Sequence, residues 1–173
     1  MGASIALDCC RAVSADSGGG MSAENLLDAA VAGQIKTRID RLTPESERHW
    51  GRMSVAQMLT HCCTSMQWAV GEVVPERLPF AARLMGRLVK PLALRDGEPM
   101  RRNSPTAKSL IVETEPNFVD EQQRLLTLID SFVAGGASGC TRKPHSFFGE
   151  MTPQEWAKLM HKHLDHHLRQ FGV

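Results

Sequence analysis

Apolar residues recur three and four positions apart through four long stretches of the chain, the spacing of helices with one buried face. The first stretch, residues 22–41, carries Leu26, Leu27, Ala30, Val31, Gln34, Ile35 and Ile39 on its stripe. Ser22 is its expected N-cap, and Thr43-Pro44 stops it. The second opens on Ser54-Val55-Ala56-Gln57, a capping box, and continues through Met58, Leu59, Cys62, Met66, Ala69 and Val70 to a stop at Gly71. The third, residues 116–134, places Phe118, Gln122, Leu125, Leu128, Ile129, Phe132 and Val133 on one face and ends at Gly135-Gly136. The fourth, residues 152–171, begins with a second capping box, Thr152 to Glu155, with Pro153 at the first helical position, where its missing N–H costs nothing. Gly172 ends it.

The connections differ in character. Residues 45–52 read as a short turn or helix, with Trp50 packing over one end of the helices. Residues 75–102 are punctuated by Pro75, Pro79, Pro91 and Pro99 and are rich in Arg and Lys. Within them Phe80, Leu84, Met85 and Leu88 outline a short amphipathic helix lying across the others. Its basic side is by default a solvated face. The functional alternative is a positive rim that attracts an anionic thiol or carboxylate, and a membrane-surface role is a weaker one. Residues 103–115 read as an extended loop with a short strand over residues 109–112, and residues 135–143 as a Gly/Ser loop. In the aromatic turn that follows, Phe147 and Phe148 plug the end of the helices, and His145 reads as a loop residue. No internal repeat and no second domain is found. The expected architecture is all-α: a four-helix bundle over residues 21–173, with an extra short helix and loop inserted between the second and third main helices.

Composition narrows the function classes. Residues 1–20 are small and polar, end in three glycines and read as a disordered leader, with Met21 an alternative start. The net charge is +1, and no basic run with interleaved aromatics appears, so nucleic acid is not an expected partner. No apolar run reaches the length of a membrane span. The five cysteines include two adjacent pairs and no C-x-x-C, which reads as reduced thiols in a cytoplasmic protein.

The last helix holds four of the seven histidines. With Trp156 set at zero, ideal geometry puts Leu159 at roughly −60°, Met160 at roughly +40° and Phe171 at roughly +60°. His163 and His167 fall at roughly −20° and +20°, the centre of this stripe, where leucines are expected. His166 lies at its edge, and His161 lies with the solvent-facing residues. Side chains at i and i+4 are neighbours, so two imidazoles here can converge on one ion. The alternative is a pair of core histidines bonded to other side chains. Leu164 stands where a metalloprotease helix has its Glu, so that class is excluded. On the second helix His61 falls about 120° from the stripe centre, on a flank with Gln57, Ser65 and Trp68. That flank either meets a neighbouring helix or is solvated.

The elements R-L-T-P, W-G-R-M-S-V-A-Q-M-L-T-H-C, H-S-F-F-G, M-T-P-Q-E-W and H-K-H-L-D-H-H-L-R-Q-F-G resemble the DinB-like superfamily of metal-binding four-helix bundles, and most of all a branch catalogued only as a domain of unknown function. The resemblance covers about residues 35–173. It implies a divalent metal, zinc or nickel, held by one histidine of the second helix and two of the last. On this chain these are His61, His163 and His167, with Gln170, Gln57 and Trp68 around them. Characterised members resemble thiol-dependent transferases, so the resemblance implies a low-molecular-weight thiol as cofactor and a small electrophilic molecule as substrate. A metal-dependent hydrolase and a non-catalytic ligand-binding or dimerising bundle are the competing functions. Exposed Trp or Met faces would allow a homodimer.

Overall fold

The computed structural model describes residues 24–173, so the expected leader and the Ser22 cap lie outside the described residues. Among the described residues there are five α-helices, α1 (Ala29–Ile39), α2 (Val55–Val70), α3 (Phe80–Ala93), α4 (Phe118–Gly139) and α5 (Pro153–Gln170), a 3-10 turn at Lys108–Leu110, and no strand. Both expected capping boxes form. Ser54 Oγ accepts from Gln57 N while Gln57 Oε1 accepts from Ser54 N, and Thr152 pairs with Glu155 in the same way.

Helices α1, α2, α4 and α5 pack on one another around a single core, with Trp156, Phe132, Ile129 and Leu59 almost wholly enclosed. Cross-links give their directions. Lys36 meets Asp130, and Gln122 Nε2 donates to Ile39 O, so α1 and α4 are antiparallel. Leu26 N bonds Ala157 O and Arg38 bonds Asp165, so α1 and α5 are parallel. Gln57 bonds Thr114 O, Arg124 bonds Gln67, and Thr141 N bonds Ala69 O, so α2 and α4 also run the same way. Two parallel neighbours cannot be joined by a tight turn. The chain must return the length of α2 before α4 begins, and the Pro- and Arg-rich segment does this.

Several expectations are corrected. Helix α1 starts at Ala29, because Asp28 caps it by accepting from Ala30 N and Val31 N, while Leu26 is drawn into the core ahead of it. Gln34 is exposed rather than on the buried stripe. Helix α4 breaks at Gly136 (φ 54°, ψ −151°) but runs one turn further, to Gly139. No strand forms at residues 109–112; a lone strand would need a partner edge, and the chain makes a 3-10 turn there. Cys63 is buried, because α4 covers it and its Sγ contacts Glu121 O. On α5 the buried surface is wider than the expected stripe. Leu164, Leu168 and the stem of Lys162 are enclosed, and His161 is half-buried, since α5 is packed by three helices rather than one.

Helix α3 stands apart from this packing. It touches the rest through Gly86, which lies on the Phe147 carbonyl, through Arg87, whose side chain lies over Gly149, and through Lys90, whose ammonium reaches Glu155 Oε1 at 2.8 Å and Glu150 O at 2.7 Å. Any Cβ at Gly86 would overlap Phe147 O. Gly86→Ala should therefore lift α3 while leaving the four packed helices folded. Trypsin should cut at Arg83 and Arg87 several times faster, with the thermal transition of the remainder kept. Unchanged cleavage would show that α3 is seated by other contacts.

Candidate metal centre

The antiparallel packing of α2 on α5 brings His61 to the pair on the last helix. Its flank, with Ser65 and Trp68, meets α5 and is buried rather than solvated. His61 Nε2 lies 2.9 Å from His163 Nε2, and the ring centroids of His61 and His163 lie 4.7 Å from that of His167. One ring nitrogen from each of the three falls within 4.8 Å of the others. No other group of three or more His, Cys, Asp or Glu side chains among the described residues converges in this way. His161 and His166 stay outside; His166 packs beside Trp50, at 5.6 Å between centroids.

The hydrogen bonds decide which nitrogens carry lone pairs. His61 Nδ1 lies 3.0 Å from Leu110 O, and a carbonyl only accepts, so Nδ1 carries the proton and Nε2 turns a lone pair towards α5. Gln170 Nε2 donates to Trp50 O at 2.7 Å, which leaves its Oε1 to accept from His167 Nδ1 at 2.8 Å. His167 Nε2 is therefore also a lone-pair nitrogen. Between His61 and His163 one proton is shared, and it belongs to His163, because the Nε2 of His61 can only accept. His163 presents its own lone pair when it carries that proton on Nδ1 instead. A tetrahedral ion with bonds of roughly 2.0–2.1 Å separates its ligands by about 3.3 Å. The observed 2.9 Å is a few tenths of an ångström short of this, within reach of a small ring rotation. Three neutral imidazoles, two with their outer nitrogens fixed, are a donor set that could hold a divalent ion.

A family model described as a protein of unknown function, DUF1569, matches residues 21–172. The chain belongs to the DUF1569 family. No curated protein and no solved structure matches it.

In this DUF1569 domain the remaining expected site residues lie elsewhere. Gln57 is one turn before His61, but its side chain is spent on the α2 cap and on Thr114 O. Trp68 is two turns beyond His61, against His145 at 6.1 Å, with its indole N–H unpartnered. His145 is in a loop, as expected, yet it is half-buried between Trp68 and Trp156, and its Nδ1 accepts from Phe147 N and Phe148 N. The supports that sequence reasoning missed are mostly main chain: the carbonyls of Leu110 and Trp50. Gly51 is another, since a Cβ there would sit 2.5 Å from Gln170 Nε2 and its φ of +82° favours glycine. The W-G dipeptide was the only trace of this in the sequence.

Electrostatics keep the rings neutral. Burial, then repulsion from a protonated His61, pushes His167 down to about 3, against the bond with Gln170. Burial, then His167 and His61, holds His163 well below the usual histidine range, although it keeps partial exposure to solvent. His61 is lowered by burial, partly offset by Leu110 O, and burial lowers His145 to about 4. A histidine with a depressed pKa takes its proton first in the unfolded chain. Above about 6.5 both states are neutral and its contribution to stability is complete. As pH falls from there towards about 4 for His145 and about 3 for His167, each ring removes about 1.4 kcal/mol per pH unit. The urea midpoint of metal-free protein should thus fall steadily between neutrality and a pH of about 5. A flat midpoint over that range would contradict neutral, enclosed rings.

Proposed function

We propose that this domain is a DinB-like four-helix bundle with α3 as its insertion, and that His61, His163 and His167 bind a divalent metal, zinc or nickel, for thiol-transfer chemistry on a small electrophilic substrate. The convergence of the three ring nitrogens within 4.8 Å carries this reading. An ion held there would supply a Lewis acid that lowers the pKa of a thiol at its open position. The chain's own residues do the rest. Leu110 O and Gln170 Oε1 fix two ligand rings, and Trp50 O in turn fixes Gln170. His163, the partly exposed one of the three, marks the side from which a ligand enters.

Two observations favour an external thiol over the alternatives. The cluster contains no carboxylate to serve as general base for hydrolysis. The cysteines among the described residues are unsuited as nucleophiles: burial raises Cys62 well above its ordinary value, Cys63 to about 12, and Cys140 as well.

Untagged protein should carry a stoichiometric divalent ion by elemental analysis, and His163→Ala and His167→Ala should each lose it. Gln170→Leu, which removes the support but no ligand, should weaken metal affinity by roughly 10- to 100-fold. Protein without metal whose melting temperature is unmoved by added zinc or nickel would sink the metal reading, since specific binding must stabilise the native state. Metal-loaded protein assayed with a panel of low-molecular-weight thiols and electrophiles should show a rate that His167→Ala abolishes. No rate above background with any thiol would leave a metal centre without this chemistry.

A further inference from the structure

Helix α3 is amphipathic in the reverse of the usual sense. With Phe80 set at zero, ideal geometry puts Leu84 at roughly 40°, Leu88 at roughly 80°, Leu92 at roughly 120° and Met85 at roughly 140°. Gly86, the residue seated on Phe147 O, falls at roughly 240°. The apolar arc therefore points away from the protein. Phe80 is 75% exposed, Leu88 70%, Leu92 64%, Met85 55% and Leu84 48%. This orientation is held, because Lys90 on the inner side is tied to Glu155 and to Glu150 O. A soluble monomer leaves few large apolar side chains together on one face, and such a face marks a contact site.

The charges indicate the occupant. Arg83, half-buried, and Arg87, which also lies over Gly149, border one side of the arc at roughly 300° and 340°. α3 has no acidic residue, and among the described residues neither arginine forms an ion pair. A second copy offering the same face would set arginine against arginine with no carboxylate on α3 to relieve it. The face is also a convex helix rather than a groove shaped for another helix. A large apolar side of Phe, Leu and Met beside a cationic flank fits the boundary between headgroups and acyl chains. We infer that α3 is a surface-seeking helix that docks the domain on a bilayer bearing anionic lipids. No helix among the described residues is long and apolar enough to cross a membrane, and peripheral attachment needs none.

The test is co-sedimentation of the full chain with phosphatidylcholine vesicles, with and without phosphatidylglycerol. Binding should require the anionic lipid and fall with added salt. L84S/L88S should abolish it, and R83S/R87S should weaken it on the order of thirty-fold. Circular dichroism should show both variants folded, since the altered residues are outward or on the flank. Failure to sediment with anionic vesicles would overturn the inference, as would equal binding by L84S/L88S. Light scattering that shows a dimer which L84S/L88S converts to monomer would assign the face to a second copy and overturn it too. None of these readouts depends on metal or thiol.

Discussion

Three imidazoles share one largely buried space between α2 and α5, and only neutral rings can share it. Two protonated rings this close would repel, and burial penalises even one. Most of what surrounds the cluster serves that constraint. Leu110 O and Gln170 Oε1 each take an N–H that would otherwise be buried unpaired, an omission costing about 1–3 kcal/mol apiece. Gln170 can accept because Trp50 O takes its amide, and Trp50 O is close enough because Gly51 has no side chain. Arg102 stacked on Trp50 at 4.0 Å and His49 N bonded to Gln170 O hold that loop against the end of α5.

The same constraint explains the long connection between α2 and α4. Because these helices run parallel, the chain must travel back past the site, and on its way it deposits Leu110 beside His61. A hairpin between antiparallel helices would have offered no such carbonyl. The crossover thus supplies a hydrogen-bond partner for a buried ring and includes α3 itself.

The four packed helices were legible because each has a clean apolar period, and the starts of α2 and α5 were also fixed by their capping boxes at Ser54 and Thr152. The inward placement of His163 and His167 followed from helix geometry alone. His61 did not, since a flank residue meets whatever helix lies beside it, and periodicity on α2 says nothing of α5. Leu110 and Trp50 were invisible because they act through carbonyls, which every residue has. Gln57 misled for a definite reason: the N3 position of the capping box lies one turn before His61, so its neighbourhood resembles the site while its hydrogen bonds belong to the helix end. The half-buried His161 was misjudged because a single stripe assumes one neighbour, and α5 has three.

Helix α3 separates pattern from placement most clearly. An apolar stripe can be read from the sequence, but its address cannot; the pattern is the same whether the apolar side meets the core or the solvent. The address comes from a position with no side chain at all. Only Gly86 lets α3 lie on the Phe147 carbonyl, and once that face is down, the Phe80–Leu84–Leu88 side must be up. The segment it lies on runs directly into the N-terminus of α5, where Lys90 meets Glu155 of the capping box. The outward apolar face and the helix bearing His163 and His167 are therefore joined through one corner of the molecule, and a surface docked at the first would set the orientation of the second.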